Sequence, residues 1–499
     1  MKLSLRHLLC SFLVLLAFES RDVLAIDSKQ TPRPIPLTRP EMKQYLEDMK
    51  ARKPRIPLPD LTVDERAKLG ERAGSYESRL RLHYLPSLDS TSPQPSSTNN
   101  AAVNADGRRG SGGSGFGGFG FAGGGREGDS DLTLDYKFKT QLFWIVSRTN
   151  NCQYCLGHQE SKLLSAGMIE DEIAALDSNW SLFDPAQQAA FAYARKLTYE
   201  PHRIGDSDIA GLRKHFTDKQ ILEMTLSIAG NNAINRWKEG AGIPQSSNGG
   251  NFGSRRTGDV APARPAAEST SHSYLTETSP KFSSTVTTVA PLATDPATGK
   301  PTRLTVAKRP PLESRSETEA ALQAATKRSP RLPIASDEKC RELLTNDVVK
   351  SFGSGPLPSW VGLLATFPNS AKGRVSMVLA AETSGDLSPL LKAQVAWIIA
   401  RQDRAWYAAG LARRQLQSLG WTDDQIIQLD GDLSTFSAAD RASFTLARQL
   451  ATTPVILTDE EVDEAVKQIG PRLTTQLISY TTHRASFDRV TEAAGLRLE

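Results

Sequence analysis

The sequence has few cysteines and no marked excess of either charge. Only four of its 499 residues are cysteine, far too few for a scaffold held together by disulfide bonds. Its 60 Lys and Arg residues nearly balance its 56 Asp and Glu residues. A dedicated nucleic-acid-binding protein usually shows a strong basic excess or a basic stripe. The composition therefore excludes a disulfide scaffold and predicts no nucleic-acid partner.

Long apolar runs are also missing, because no stretch approaches the roughly 18 residues that a membrane-spanning helix needs. The N-terminus has a shorter apolar stretch, Leu8 to Phe18, which follows the basic residues Lys2 and Arg6. Val23 and Ala25 place small residues at the −3 and −1 positions of a cut after Ala25. This pattern predicts a secretory signal peptide over residues 1–25 and an exported protein, periplasmic or extracellular. The alternative is an uncleaved membrane anchor, for which the apolar stretch is short.

Two further stretches lack the apolar residues that a packed core requires. Residues 93–130 are rich in Ser, Pro and Asn and then in Gly, which predicts a low-complexity insertion. Residues 246–335 are dense in Ser, Thr, Pro and Ala, which predicts a long disordered linker between domains. A binding tail or a glycosylated stalk is the alternative for the second stretch.

The sequence does contain an internal repeat. At a constant offset of 253 residues, Lys139 to Arg148 aligns with Lys392 to Arg401, and the match extends over about a hundred residues with roughly a quarter identical. We interpret this as a tandem duplication, with an N-terminal redox domain at 41–245 and a degenerate C-terminal copy at 336–499. Identical pairs include Trp144 and Trp397, Gly167 and Gly420, Arg236 and Arg489, and Gly242 and Gly495.

Both copies have the sequence signals of helices. Apolar residues recur at helical spacing from Tyr136 to Asn150. Asp184 with Pro185 predicts one helix start, and Thr217 with Gln220 forms a capping box for another. Sustained period-two alternation is absent. The predicted fold is all-α, with two tandem helical domains joined by the long disordered linker.

The chemically distinctive residues are Cys152, Cys155 and His158, at the predicted start of a helix. Two thiols at this spacing can close a small disulfide, and a helix N-terminus stabilises a thiolate. His158 lies one turn beyond Cys155 and could take or return a proton. The pattern favours redox chemistry.

Paired cysteines also occur in haem sites, zinc sites and structural disulfides. A c-type haem site needs histidine directly after the second cysteine, where Leu156 stands. A zinc site would need ligands beyond Cys152, Cys155 and His158, so we expect no metal and no cofactor. A structural disulfide stays open for an exported protein. Cys340 has no near partner and is interpreted as a buried or free thiol.

The run from Gln141 to Gly167 around the two cysteines resembles the core motif of the alkylhydroperoxidase D-like, or carboxymuconolactone decarboxylase-like, superfamily. The segment from Asn235 to Pro244 is similar to the end of that family's last helix. The resemblance implies an all-α fold that usually oligomerises and a thiol peroxidase or disulfide oxidoreductase activity. It implies a hydroperoxide or oxidised thiol as substrate and a dithiol as electron donor. It assigns peroxide attack to Cys155, resolution to Cys152 and proton relay to His158.

The chain departs from the family pattern at two positions. The family often has a glutamate twelve residues before the first cysteine, where this chain has Thr140, and a histidine four residues after the second, where it has Gln159. Two other functions stay open. One is a lyase acting on a small carboxylated lactone, a branch that does not use this thiol pair. The other is a non-catalytic exported helical binding module with a structural disulfide.

The second copy lacks the site, because Ala405, Ala408 and Leu411 replace the two cysteines and the histidine. We therefore predict that it is catalytically silent. A tethered copy has a high effective concentration, so residues 336–499 are predicted to dock on 131–245 as an intrachain pseudo-dimer, and the family resemblance implies a homo-oligomer. The alternative is two independent domains on a flexible string.

Overall fold

The protein is predominantly helical, which confirms the all-α prediction. The computed structural model shows helices in both halves of the chain. Among the described residues, the strands are confined to one short antiparallel pair. No helix in this part of the chain is both long enough and apolar enough to cross a bilayer. The described residues are 34–86, 131–245, 273–306 and 311–499.

Two predicted segments lie outside the described residues. They are the signal peptide at 1–25 and the low-complexity insertion at 93–130. Both stay predictions from the sequence. The fold therefore concerns the two helical halves and parts of the segment between them.

The N-terminal half has nine α-helices in its described residues, and several of them start at a capping side chain. Asp184 accepts a hydrogen bond from the backbone N–H of Gln187, and Thr217 accepts one from Gln220, as predicted. The helices are α1 (Arg39–Asp48), α2 (Val63–Leu69), α3 (Tyr76–Tyr84), α4 (Tyr136–Thr149), α5 (Gln153–Ser165), α6 (Glu170–Ser178), α7 (Pro185–Tyr199), α8 (Asp206–Leu212) and α9 (Asp218–Gly240). Short 3-10 turns lie at Met49–Ala51, Gly70–Gly74, Trp180–Leu182 and Pro201–Arg203.

The segment between the halves contains regular structure where it is described. A disordered linker is therefore not confirmed for these residues. The strands are too short to produce a periodic signal in the sequence, which is why the composition did not predict them. The elements are α10 (Pro280–Ser283), β1 (Leu292–Thr294), β2 (Pro301–Val306) and α11 (Arg315–Ala325).

Parts of this segment pack on each half. The backbone N–H groups of Thr287 and Thr288 donate to the carbonyls of Leu37 and Asp177, both at 2.9 Å. A few isolated apolar side chains are enough to attach the segment, although its composition is poor in them. Tyr274, Phe282 and Val289 are buried against the N-terminal half, and Leu322 and Ala325 belong to the core shared with the C-terminal half.

The C-terminal half is also helical. Its last helix is interrupted at Gly470, whose φ of 79° is in the left-handed region that glycine tolerates. Its helices are α12 (Asp337–Leu343), α13 (Asn346–Lys350), α14 (Ser359–Leu364), α15 (Pro368–Thr383), α16 (Pro389–Asp403), α17 (Trp406–Ser418), α18 (Asp423–Gln428), α19 (Ala438–Ala451) and α20 (Asp459–Ala493).

Corresponding helices begin 253 residues apart in the two halves, the offset at which the sequence aligns with itself. This holds for α4 and α16, α5 and α17, α6 and α18, and α7 and α19. Asn151 and Arg404, at the same offset, both have a positive φ, 56° and 53°. In addition, α11 packs on α17 in the way that α1 packs on α5, the counterpart of α17. The C-terminal half thus includes α11, which lies before the predicted boundary at residue 336.

The two halves contact each other directly along α9 and α20. Arg236 Nη2 donates to the carbonyl of Ala451 at 3.1 Å, and Arg489 Nη2 donates to the carbonyl of Thr198 at 3.0 Å. The two hydrogen bonds are counterparts, because Arg489 lies 253 residues after Arg236 and Ala451 lies 253 residues after Thr198. A Cβ at Gly240 would lie 2.7 Å from Ile478 Cγ2, so the two backbones approach closely there.

Candidate functional site

The turn between α4 and α5 holds the first cysteine at a defined place. Asn151 has a φ of 56°, which asparagine tolerates better than most residues. Cys152 is the N-cap of α5, and its backbone N–H donates to the carbonyl of Ser147 at 2.9 Å. Asn150 Nδ2 donates to the side-chain oxygens of Asn232 and Asn235 on α9, both at 2.9 Å. Helix α9 therefore anchors the turn that carries the thiol pair.

Cys152 and Cys155 lie together at the start of α5 as free thiols. Their side chains are enclosed, with 0% and 2% of their surfaces exposed. Burial, together with the neighbouring Cys155 thiol and the charge of Glu239, raises the pKa of Cys152. Cys152 is therefore a protonated thiol at neutral pH.

A buried ammonium group lies beside this pair. Lys238, on α9, is fully enclosed and forms an ion pair with Glu77 on α3. Its Nζ lies 4.4 Å from the centre of the Tyr154 ring, a distance at which a cation and a ring attract each other. Burial alone would lower the pKa of Lys238, but Glu77, Tyr154 and Cys155 outweigh that effect and raise it. Lys238 therefore stays charged beside the thiols.

Glu77 is held by three donors. The Trp237 indole N–H donates to it at 2.7 Å, and Arg81 pairs with it at 3.0 Å, in addition to Lys238. Although burial opposes the shift, Lys238 and Arg81 lower the pKa of Glu77 to about 2. This carboxylate is thus charged throughout the physiological pH range and keeps Lys238 protonated.

The structure places His158 at the site as a neutral ring. Its Nε2 lies 3.0 Å from the hydroxyl of Tyr154, and the two rings meet edge to face. Burial, then the positive charges of Lys238 and Lys162, lower the pKa of His158 to about 3. An imidazole in this environment is a poor proton acceptor at neutral pH. It is well placed to orient Tyr154, while the relay role predicted from the sequence stays a prediction.

Thr140 stands where the family resembled by the motif often has a glutamate, and it provides no carboxylate there. Its hydroxyl donates to the carbonyl of Tyr136 at 2.8 Å, within α4. The adjacent Gln141 accepts a hydrogen bond from Gln187 at 3.0 Å. The acidic group of this site comes instead from Glu77, on a helix that precedes the predicted insertion.

Four polar residues of the site were missed by the sequence reasoning. Tyr154 lies between the two cysteines, so its position was a usable signal. Lys238 lies in the segment from Asn235 to Pro244 that resembles the end of the family's last helix. Lys162 follows Cys155 by two helical turns. Glu77 had no local signal, because only tertiary packing brings α3 to α9. The missed residues are Glu77, Tyr154, Lys162 and Lys238.

The equivalent place in the C-terminal half keeps its framework but has no thiols. The ion pair of Arg148 with Asp177 at 2.9 Å recurs as Arg401 with Asp430 at 2.8 Å. The cysteine positions are occupied by Ala405 and Ala408, which are buried. Leu411 takes the place of the histidine. The framework is therefore independent of the two cysteines and the histidine.

The third described cysteine lies apart from this site. Cys340 is in α12, is 1% exposed and is a free thiol, consistent with the interpretation from the sequence. Burial raises its pKa. Across the described ranges, no group of three or more His, Cys, Asp or Glu side chains is arranged to hold a metal ion.

The chain matches no protein-family model and has no significant match among curated proteins. The superfamily resemblance therefore depends on the motif residues alone, and it stays a prediction.

Proposed function

We propose that this protein is an exported thiol-dependent peroxidase of the alkylhydroperoxidase D-like type. The observation that carries the proposal is the enclosed pair of Cys152 and Cys155 at the N-terminus of α5, beside the buried ammonium of Lys238. Helix N-termini and nearby positive charges favour the thiolate, which is the nucleophile in thiol chemistry.

The proposed reaction has two steps at the protein. The Cys155 thiolate attacks one peroxide oxygen, so that an S–O bond forms and the O–O bond breaks; the departing alkoxide takes a proton and leaves as an alcohol. The Cys152 thiol then attacks the sulfenic acid, a disulfide forms and water leaves. An external dithiol reduces this disulfide and becomes a disulfide itself.

The surroundings of each sulfur support the roles that the family resemblance implies. Cys155 is within electrostatic range of the Lys238 and Lys162 ammonium groups, which suits an attacking thiolate. Burial and the charge of Glu239 keep Cys152 protonated, which suits a thiol that acts second. Because both sulfurs are enclosed, a small hydroperoxide and a slender dithiol reach them more readily than the folded surface of a protein does.

A direct test is oxidation of the reduced chain by one equivalent of an organic hydroperoxide, followed by alkylation and mass spectrometry. We expect the native protein to lose two hydrogen atoms as Cys152 and Cys155 become linked, and a dithiol to restore both thiols. Cys340 serves as the internal control and stays open to alkylation after unfolding. If both site thiols remain alkylatable after peroxide, or if the disulfide resists the dithiol, the peroxidase proposal is wrong.

The second copy is proposed to act as a silent partner in an intrachain pseudo-dimer. Support comes from the reciprocal contacts of Arg236 with Ala451 and of Arg489 with Thr198. The apolar contact of Gly240 with Ile478 adds to it.

Solution scattering tests this arrangement. We expect the two halves to form one compact pair of lobes whose separation does not change with protein concentration. A broad distribution of lobe separations would contradict the pseudo-dimer and would leave the redox proposal intact.

A further inference from the structure

Helix α3, which carries Glu77, lies between the two halves and bonds to both. The hydroxyl of Tyr76 lies 3.2 Å from the carbonyl oxygen of Ala241 in the N-terminal half. The hydroxyl of Tyr84 donates to the carbonyl of Pro57 at 2.8 Å. In addition, α3 packs on α20 of the C-terminal half. Because the last carbonyl groups of a helix have no partner inside that helix, the groups that bind them show what fixes the end of α3.

Two side chains of α20 bind these last carbonyl groups. Gln476 Nε2 donates to the carbonyl of Tyr84 at 3.0 Å, and its side chain is buried, so this bond is shielded from water. Arg472 Nη1 donates to the carbonyl of His83 at 3.2 Å. A positive charge at the C-terminal end of a helix is also favourable. The C-terminal half therefore fixes the end of the α3 backbone.

The repeat shows that the donor group of Gln476 is a departure from the shared framework. At the 253-residue offset its counterpart is Glu223, on α9. Glu223 Oε2 accepts from the backbone N–H of Thr133 at 2.8 Å. Gln476 Oε1 accepts from the backbone N–H of Asp386, the counterpart of Thr133, at 2.7 Å. A carboxylate can accept this shared bond but cannot donate, so the amide of Gln476 is what adds the bond to α3.

Glu77 connects α3 with the thiol site through two residues of α9. It forms an ion pair with Lys238 and accepts from the indole N–H of Trp237 at 2.7 Å. The Lys238 ammonium lies 3.4 Å from the hydroxyl of Tyr154, which directly precedes Cys155 on α5. A buried ammonium without its carboxylate is strongly disfavoured. Displacement of Glu77 therefore changes the charge or the position of Lys238.

We propose that the C-terminal half positions the charged groups of the redox site, with Gln476 and Arg472 as the positioning residues. This inference rests on the proposed peroxidase function and assigns a task to the copy that lacks the thiols. By holding the end of α3, the two residues keep Glu77 on Lys238. Lys238 in turn keeps its charge and its place at the site, while the covalent steps stay with the two cysteines.

The direct test observes Trp237 in the full chain. The sequence has seven tryptophans, so their indole N–H signals form a sparse set in a heteronuclear NMR spectrum, and Trp237→Phe identifies the one that belongs to Trp237. Glu77→Gln gives the direction of the shift when the charged acceptor is lost. We expect Gln476→Glu, which keeps the shared acceptor and removes the donor, to shift the signal in that direction. Arg472→Met, at a half-exposed position, is the second variant and should shift it in the same way.

The consequence for the reaction is tested with a double-mutant cycle on the rate of disulfide formation by an organic hydroperoxide. We expect Glu77→Gln and Gln476→Glu each to lower this rate by about 10-fold, within the range of coupling between residues of one network. Because Gln476 acts through Glu77, the double variant should be no slower than the slower single variant. A general weakening of the fold would instead make the two losses multiply.

The control is Gln468→Glu, the same substitution on the same helix, at a residue whose amide donates to Glu464 within α20 at 2.7 Å. It should leave the Trp237 signal and the rate at their native values. An unchanged Trp237 signal in Gln476→Glu, or in Arg472→Met if the first variant does not fold, would overturn the proposal, and so would losses that multiply. If native protein and Cys155→Ser consume peroxide equally, the peroxidase function fails, while the Trp237 signal still decides whether the C-terminal half holds Glu77.

Discussion

Cys155→Ser is expected to lower dithiol-dependent peroxide consumption by at least about 1,000-fold, because a serine hydroxyl is far less acidic than a thiol and cannot form a sulfenic acid. The measurement is peroxide loss under excess dithiol, with the full chain at matched concentration. The substitution replaces one sulfur by oxygen in a site with 2% exposure, so the fold should be unchanged.

Two matched variants serve as controls for this result. Cys152→Ser should still react once with peroxide and then accumulate Cys155 sulfenic acid, because the resolving thiol is missing. Cys340→Ser, in α12 and apart from the pair, should behave as the native chain does. Equal rates for native protein and Cys155→Ser would remove the redox function and favour a binding module with a structural disulfide.

Arg489→Met is expected to reduce the free energy of unfolding by about 3–5 kcal/mol, the range for breaking a buried ion pair. Arg489 and Asp403 are both completely buried, and Arg489 Nη1 lies 2.7 Å from Asp403 Oδ2. Arg489 also donates to the carbonyl of Thr198 in the other half. Its loss leaves Asp403 buried without its partner and removes a contact between the halves. Urea unfolding followed by circular dichroism measures the change.

The control is Arg472→Met, which removes an ion pair with Asp386 on the surface and a hydrogen bond to the carbonyl of His83 in the other half. Both side chains are about half exposed, so water and salt screen their attraction, and the expected loss of stability is much smaller than for Arg489→Met. If the two variants lose the same stability, Arg489 does not have the special role assigned to it. The solution-scattering profile of Arg489→Met adds a second readout of the contact between the halves.

The sequence determined the local structure well. Asp184 and Thr217 cap helices because their side chains accept hydrogen bonds from backbone groups two or three residues ahead, an interaction that needs no distant partner. The tight turn at Asn151, with its positive φ, places Cys152 and Cys155 at the start of α5. Helical character and the position of the thiol pair could therefore be predicted from neighbouring residues alone.

Only the tertiary structure decided how distant segments meet. Glu77 reaches Lys238 across 161 positions of sequence, because α3 packs beside the end of α9, and no local pattern records that packing. The segment around Thr287 looked like a free linker because its composition is poor in apolar residues. Its few buried side chains and its backbone bonds to Leu37 and Asp177 attach it nonetheless. Helix starts and thiol spacing depend on short-range bonds, whereas the charges that surround the thiols depend on long-range packing.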